Sequence, residues 1–139
     1  MDTIHIFLQH LQILADAKKE NLQNIYVQHG IVHMFQEQFA LSIALLQEAL
    51  KEDGQGMAAM GSTKEIIMAA YEEYIFIDED VWLHMMNDSS RMQEDTTLKP
   101  LVMRILMHYV PAWQQFVEHL SSFPAQCLHR HLPIFLCFL

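Results

Sequence analysis

The segment IYVQHGIVHMFQEQFALSIALLQEALKE, residues 25–52, is the longest apolar stretch of the chain. Its apolar side chains recur at helical spacing on two faces, one with Ile31, Phe35, Phe39, Leu46 and Leu50 and the other with Met34, Leu41 and Leu45. A helix that is apolar on two sides needs more than one neighbour to cover it. The segment therefore predicts the central helix of a bundle, with Gly30 leaving the position of its first turn open.

Further helical patterns flank this segment on both sides. Residues 3–22, 62–74 and 97–121 carry apolar residues at spacings of three and four, and residues 78–87 form a shorter helix. Residues 57–61, MAAMG, are predicted to be a linker or a half-turn. Together these patterns predict an all-α fold, an antiparallel up-and-down bundle of four or five helices with short connections.

Two of the predicted helices have clear start signals. Ser62 and Glu65 match a capping box, in which each side chain satisfies a free backbone N–H of the first turn. Asp78 is a good N-cap residue because its carboxylate can accept bonds from first-turn N–H groups. Ile77 and Trp82 have the spacing of a hydrophobic staple.

The segment IDEDVWLHMMNDSSRMQE, residues 77–94, joins this helix start to a polar stretch. Asn87–Ser90 are four residues that favour turns, so the helix is predicted to end there. If the protein has a chemical site, the loop after Met86 is where the sequence places it.

The last predicted helix contains two prolines. Pro100 is tolerated in a first turn, where its missing N–H has no helical partner, whereas Pro111 predicts a kink. Aromatic residues at core spacing are interpreted as packing residues, namely Tyr71, Tyr74, Trp82, Tyr109 and Trp113.

Length and composition limit the class of protein. A chain of 139 residues with 52% hydrophobic and 18% charged residues fits one domain with a real core. We expect residues 1–121 to form the bundle. Residues 122–139 form an apolar tail of open role, which docks on the body or on a partner or is not a natural terminus.

Charge and cysteine usage limit the environment. The net charge of −9 with eight scattered basic residues argues against general nucleic-acid binding and against adsorption to acidic membranes. No apolar run reaches the roughly 18 residues that span a bilayer. Cys127 and Cys137 form no disulfide framework and the N-terminus has no signal-peptide pattern, so a cytoplasmic protein is expected.

One stripe has the spacing of a metal site. His29, His33 and Glu37 follow one another at intervals of four, which aligns them on one side of a helix. No fourth ligand is evident, so a solvated or interfacial polar stripe is the favoured interpretation. No metal and no other cofactor is predicted.

Two other histidine patterns are weaker. His129 and His131 in the tail are interpreted as surface residues. Asp80 and His84, four apart, predict a local charge-assisted hydrogen bond.

Three pieces of the chain occur in a recognisable order: NIYVQHGIVHMFQEQFALSIALLQEALKEDG (24–54), STKEIIMAAYEEYIFIDEDVWLHMMND (62–88) and Tyr109-Val110-Pro111. Their order resembles the nucleotidyltransferase substrate-binding protein family, within the broader HEPN helical group, over about residues 5–120. Its most specific parts are GIVHMFQEQFAL and IDEDVWLHMMND. Residues on the family pattern are Phe35, Phe39, Trp82 and Asp88. The resemblance implies a bundle that forms a homodimer and pairs with a minimal nucleotidyltransferase in a two-component, toxin–antitoxin-like arrangement.

The chain departs from that family pattern at two places. Relatives carry acidic residues where this chain has Gln36 and Ala40, followed by Trp-Lys at Ile43-Ala44. After the aspartate matched by Asp88, relatives usually have Arg-Asn, three residues, His, one residue and Tyr. The residues at those positions here are Ser89, Ser90, Glu94 and Thr96.

The second departure bears on catalysis. In HEPN ribonucleases the Arg and His of this motif serve RNA cleavage, and in related toxin–antitoxin pairs the Tyr can accept a nucleotide. A carboxylate at Glu94 cannot replace the imidazole, because it titrates near pH 4 instead of about 6.5 and brings negative charge to a phosphodiester. Placing Arg91 at the Arg position leaves Thr96 at the His position, so the motif still fails.

The sequence therefore favours a non-catalytic binding subunit that docks a minimal nucleotidyltransferase and helps to present its substrate. The candidate residues for ligand or partner binding are Trp82, Asp88, Ser89, Ser90, Arg91 and Glu94. The alternative is a HEPN-type ribonuclease with a rearranged site around Arg91 and His84 or His108. A third hypothesis is a degenerate relative that is retained only for assembly.

Overall fold

The computed structural model describes residues 2–91 and 95–122 and shows a bundle of α-helices, with no β-strand in that part of the chain. The fold class predicted from the sequence is confirmed. The elements are α1 (Thr3–Asp16) with a 3₁₀ turn (Ala17–Lys19), α2 (Ile25–Glu52), the short α3 (Gly56–Ala59), α4 (Thr63–Glu73), α5 (Glu79–Ser90), α6 (Asp95–Arg104), a π-helical turn (Ile105–Tyr109) and α7 (Val110–Ser122). None of the helices in the described ranges combines the length and hydropathy that crossing a bilayer requires.

Helix α2 is the centre of the bundle, as its two apolar faces predict. It contacts α1, α3, α4, α5 and α6. The buried amide of Gln38 donates from Nε2 to the carbonyl oxygen of Phe7 at 2.9 Å, which ties α1 to α2. Leu14 and Ile31 line one groove further along the same pair of helices. Since later residues of α1 meet earlier residues of α2, the two helices run antiparallel.

Aromatic side chains attach α7 to the rest of the bundle. Phe7 makes edge-to-face contacts with Trp113 and Phe116, with ring centroids 6.3 Å and 6.0 Å apart. Trp82 of α5 meets Phe116 edge-on at 5.4 Å. Such pairs add to the free energy gained by burying their area. Helices from both ends of the described chain therefore share one core.

The predicted helix starts are found where the sequence places them. The backbone N–H of Glu65 donates to Ser62 Oγ at 3.2 Å, and that hydroxyl donates to Glu65 Oε1 at 3.1 Å. At the start of α5, Asp78 Oδ1 accepts from the N–H groups of Asp80 and Val81 at 3.1 Å and 3.4 Å. Asp2 occupies the N-cap position of α1 but makes no side-chain cap bond.

Helix α5 ends within the polar stretch where the sequence places its end, but it runs beyond the predicted bound at residue 87. The helix continues through Asn87–Ser90 and reaches its C-cap at Arg91. Ser89 and Ser90 donate from Oγ to the carbonyl oxygens three residues earlier, at 2.9 Å and 3.0 Å, so their hydroxyls bond within the helix instead of forming a turn. Asp88 points into the protein and is held by partners on other elements, which fixes this last turn.

Three smaller predictions also need correction. Residues 57–61 are not a plain linker, because α3 covers most of them. Helix α6 begins at Asp95, so Pro100 lies beyond the first turn, at an exposed position. Tyr71 is not a core residue, since 37% of it is exposed.

The irregularity predicted at Pro111 takes the form of the π-helical turn that immediately precedes α7. The backbone N–H of Val110 bonds to the carbonyl of Ile105, five residues earlier, instead of four as in an α-helix. Pro111 has no N–H to donate, so the regular bonding pattern is already broken at this point.

Candidate functional site

A buried carboxylate holds three elements together beside the end of α5. Asp88 is only 7% exposed. Arg104 donates to it from Nε and Nη2, each at 3.0 Å, which forms a bidentate ion pair between α5 and α6. The hydroxyl of Tyr109 donates to Asp88 Oδ2 from the π-helical turn. We call these three residues the Asp88 triad.

The π-helical turn explains how two residues five positions apart reach one carboxylate. In an α-helix, Arg104 and Tyr109 would point in directions about 140° apart. A turn whose backbone bonds join residues five apart brings them towards the same side. Phe35 of α2 stacks on the Tyr109 ring with centroids 5.4 Å apart and so fixes its orientation.

The electrostatics of the triad favour a stable neutral phenol and a charged guanidinium. The hydrogen bond to Asp88 raises the pKa of the Arg104 guanidinium above its ordinary value. Burial, followed by the hydrogen bond to Asp88, raises the pKa of the Tyr109 hydroxyl above its ordinary value. Because this pKa is raised, the hydroxyl is protonated at neutral pH. Tyr109 is only 2% exposed, so its hydroxyl is also shielded from solvent.

A cleft of about 480 Å³ opens next to the triad, between α2 and the end of α5. The described residues that line it are His29, Val32, His33 and Gln36 from α2, Ser89, Ser90 and Arg91 from the end of α5, and Leu98 from α6. Its volume is within the range of small-molecule sites. Because Ser89 directly follows Asp88, the triad fixes the end of α5 that forms one wall of the cleft.

The match to a known family covers the part of the chain that contains both the triad and the cleft. The profile of a family described as nucleotidyltransferase substrate binding protein like matches residues 3–122. The chain belongs to this family. Comparisons with curated proteins and with solved structures found no match.

Four residues of the matched region have clear structural roles in this protein. Phe35, Phe39, Trp82 and Asp88, which the resemblance places on the family pattern, are all buried. Phe35 supports Tyr109, and Asp88 joins α5 to α6 and the π-helical turn. These residues therefore build the scaffold around the cleft.

The structure brings together only part of the site predicted from the sequence. Ser89, Ser90 and Arg91 line the cleft, and Asp88 lies behind them in the triad. Trp82 is 1% exposed and packs in the core, where it offers no surface to a ligand. Glu94 lies outside the described residues.

Sequence reasoning missed Arg104, His29 and His33 as neighbours of this site. Arg104 is 16 residues from Asp88, whereas the family motif predicts its cation directly after the aspartate. The spacing of His29 and His33 shows that they share one side of α2 but not which part of the bundle they face.

Other histidine predictions can be placed as well. His33 Nε2 lies 3.2 Å from Glu37 Oε1, and both side chains are largely exposed, as a solvated stripe requires. His84 Nδ1 lies 2.7 Å from the backbone oxygen of Asp80, so the predicted bond uses the carbonyl and not the carboxylate. Neither His84 nor His108 is among the described residues that line the cleft with Arg91. Residues 123–139, with His129 and His131, lie outside the described chain.

Proposed function

We propose that this protein is the non-catalytic substrate-binding subunit of a two-component minimal nucleotidyltransferase, and that the cleft between α2 and α5 holds the substrate. The observation that carries the proposal is this cleft, whose described walls hold basic, polar and apolar side chains, inside a region that matches the substrate-binding family. A rigid scaffold below an open cleft suits a subunit that presents a molecule to a partner enzyme.

The state of the triad supports a non-catalytic role. The Asp88 carboxylate accepts bonds from Arg104 and Tyr109, so it is not poised to take a proton from a substrate. Tyr109 is buried and protonated, so it is a poor acceptor for a transferred group. These three residues stabilise the wall of the cleft, and the chemistry is left to the partner.

This chain offers the partner exposed side chains on the helix that forms one wall of the cleft. Tyr26 at the start of α2 is 84% exposed and its neighbour Ile25 is 40% exposed. Tyr26 shares one side of α2 with His29 and His33, since these positions are three and seven residues apart. Exposed tyrosines are common anchors of protein interfaces. A nucleotidyltransferase that closes over the cleft would bury Tyr26.

Co-expression with the minimal nucleotidyltransferase of the same source tests this proposal. A tagged chain should retain the untagged enzyme through affinity and size-exclusion steps, and Tyr26→Ala should weaken the complex. Tyr71→Ala, which removes another exposed tyrosine from α4, is the matched control. Failure of the unmodified chain to associate would rule out the two-component role.

The toxin–antitoxin-like setting is part of the same proposal and has its own test. Expression of this chain alone should slow growth if it acts as the toxic component, and co-expression of the nucleotidyltransferase should restore it. Equal growth in both cases would remove the toxin–antitoxin part and leave the substrate-binding role in place.

A further inference from the structure

An open groove of about 480 Å³ lies between the end of α1 and the first half of α2. Most of the described residues that line it are apolar, namely Ile13, Leu14, Ala17, Val27, Ile31 and Met34. Ile13 is 54% exposed, and a Cβ added at Gly30, in the same groove, would meet nothing within 4 Å. The groove therefore favours an apolar occupant, since covering apolar surface is the main driving force of association.

Two carboxylates lie at the α1 rim of the groove. Asp16 accepts from Gln12 Nε2 at 3.2 Å and lies 3.6 Å from Lys19 Nζ, so its charge is already partly balanced. Glu20 is exposed on the same rim. The imidazole of His33, on the α2 rim, lies 3.2 Å from a carboxylate of its own helix. The α1 rim therefore favours an occupant that carries a cation next to its apolar part.

One segment of this chain has that composition. Residues 132–139, outside the described part of the chain, read LPIFLCFL, and we call them the apolar run. The three residues before them are His-Arg-His, with Arg130 in the middle. Covering an apolar run of this length is strongly favourable, and the arginine is charged at every pH that proteins normally meet. A cation followed by an apolar run matches an acidic rim beside an apolar floor.

The apolar run is long enough to reach the groove from α7. Phe116, late in α7, packs on Phe7 in the first half of α1. Pro111, early in α7, lines a small pocket with Leu14 near the end of α1. The two helices therefore run antiparallel, and the 14 residues of α1, about 21 Å, separate the end of α7 from the groove. An extended chain as long as residues 123–131 spans up to about 30 Å, which covers this distance.

We propose that the apolar run occupies the groove between α1 and α2 of the same molecule, with Arg130 bound at the rim by Glu20 and Asp16. Docking would bury the exposed side chain of Ile13 and cover an apolar surface that otherwise favours association between copies. His33 lines both this groove and the cleft beside the Asp88 triad, so the docked run would lie next to that cleft. The docking itself requires neither a substrate nor a nucleotidyltransferase.

Disulfide cross-linking in the full chain tests where the apolar run lies. Cys137 belongs to the run, and Cys127→Ser leaves it as the only native thiol. In that background, Ile13→Cys should form an intramolecular disulfide with Cys137 under mild oxidation, because bridged Cβ atoms must come within about 4 Å of each other. Leu8→Cys is the matched control and should stay reduced, since Leu8 is also exposed on α1 but points about 140° away from Ile13.

Mass spectrometry and non-reducing size exclusion separate the outcomes. A monomer that contains the disulfide supports the proposal. A disulfide that joins two molecules would overturn the intramolecular docking and make a second copy the occupant. Two free thiols in the Ile13→Cys variant, or equal cross-linking in the Leu8→Cys variant, would show that the apolar run does not bind this groove.

The rate at which a maleimide modifies Cys137 tests the charged contact in the same Cys127→Ser background. Glu20→Lys and Arg130→Glu should each raise this rate by about two- to fivefold, the change that an exposed ion pair can account for. The two substitutions together should restore the slow rate, because they exchange the charges. Glu72→Lys, at an exposed position on α4, is the matched control. A double variant as reactive as the single variants would contradict the binding of Arg130 at this rim.

Discussion

At the scale of single residues, Asp88 links the fold to the candidate site. Its carboxylate is bonded by Arg104 and Tyr109, which are 16 and 21 residues away. A buried carboxylate without partners would be strongly destabilising, so each partner matters more than a surface ion pair would. Ser89 and Arg91, which follow in the chain, line the cleft. The position of the cleft wall therefore depends on this one buried side chain.

Substitutions in the Asp88 triad should lower stability in a coupled way. Asp88→Asn and Arg104→Gln should each reduce the free energy of unfolding by about 1–3 kcal/mol, with the smaller effect for the partly exposed Arg104. The double variant should lose less stability than the two single variants together, because both substitutions remove the same ion pair. Urea unfolding of the four proteins measures this coupling. Strictly additive losses would show that the ion pair contributes little.

Two tyrosines should make stability fall at high pH. The Tyr74 hydroxyl donates to Asp53 at 2.5 Å. Its pKa and that of the Tyr109 hydroxyl are both raised above the ordinary value of 10.0. Below about pH 10 these phenols are neutral in both states and the full stability is present. As the pH rises further, the two tyrosines ionise in the unfolded chain before they ionise in the folded protein. The free energy of unfolding therefore falls until the pH reaches the raised pKa values of the folded state.

Urea midpoints measured between about pH 8 and pH 11 test this loss. Tyr74→Phe and Tyr109→Phe should each make the alkaline decline shallower, and Tyr26→Phe at an exposed position is the matched control. A decline of the same slope in all four proteins would rule out the buried phenols as its cause.

At the scale of elements, local sequence signals set where helices start, and tertiary contacts set where they end. The capping bonds of Ser62 and Asp78 join residues no more than three positions apart, so the sequence reveals them directly. The end of α5 depends instead on the pull of Asp88 into the triad. The π-helical turn likewise serves a distant contact, since it turns Tyr109 towards α5.

The caps should differ in their contribution to stability. Ser62→Ala and Asp78→Ala should each lower the free energy of unfolding by about 1 kcal/mol, because first-turn N–H groups lose their acceptor. Asp2→Ala should change the free energy of unfolding little, since Asp2 is also an N-cap residue but makes no side-chain cap bond. Thermal or urea unfolding of the three variants gives the comparison. A loss at Asp2 as large as that at Asp78 would contradict the capping argument.

Two glycines should respond to alanine in opposite directions. Gly30 lies inside α2, and an added Cβ would meet nothing within 4 Å, so Gly30→Ala should raise the free energy of unfolding by about 0.5–1 kcal/mol. Gly54 has φ of +83°, so Gly54→Ala should lower it by about 1 kcal/mol through backbone strain. Unfolding midpoints measured under identical conditions distinguish the two. A gain at Gly54 would show that the positive φ is not needed.

At the scale of the whole molecule, the exposed apolar side chains indicate which surfaces are available to other proteins. Tyr26 lies on the same side of α2 as His29 and His33 of the cleft. Met57 and Met60 lie on and just after α3 and are 87% and 80% exposed. Single exposed apolar residues are common, but neighbouring ones favour contact with another chain. We propose that the nucleotidyltransferase binds the surface that includes Tyr26. Met57 and Met60, at α3, form a different surface, which we call the α3 side.

The homodimer implied by the family resemblance should use the α3 side. Met57→Glu with Met60→Glu should convert a dimer to a monomer, because the charges would be desolvated at the interface. Met107→Glu, at a residue 60% exposed in the π-helical turn, is the matched control. Light scattering coupled to size exclusion gives the mass of each protein. A dimer that survives the α3 substitutions and dissociates with the control would place the interface elsewhere.

The sequence by itself determined the all-α fold class, the central position of α2 and the two helix starts. The reason is that apolar periodicity and capping act over a few residues, and both are written in consecutive positions. Only the tertiary structure decided that Arg104 and Tyr109 bond to Asp88, and that His29 and His33 face Arg91 across a cleft. These contacts join residues that are distant in the chain, so they depend on which helix faces meet when the whole core packs.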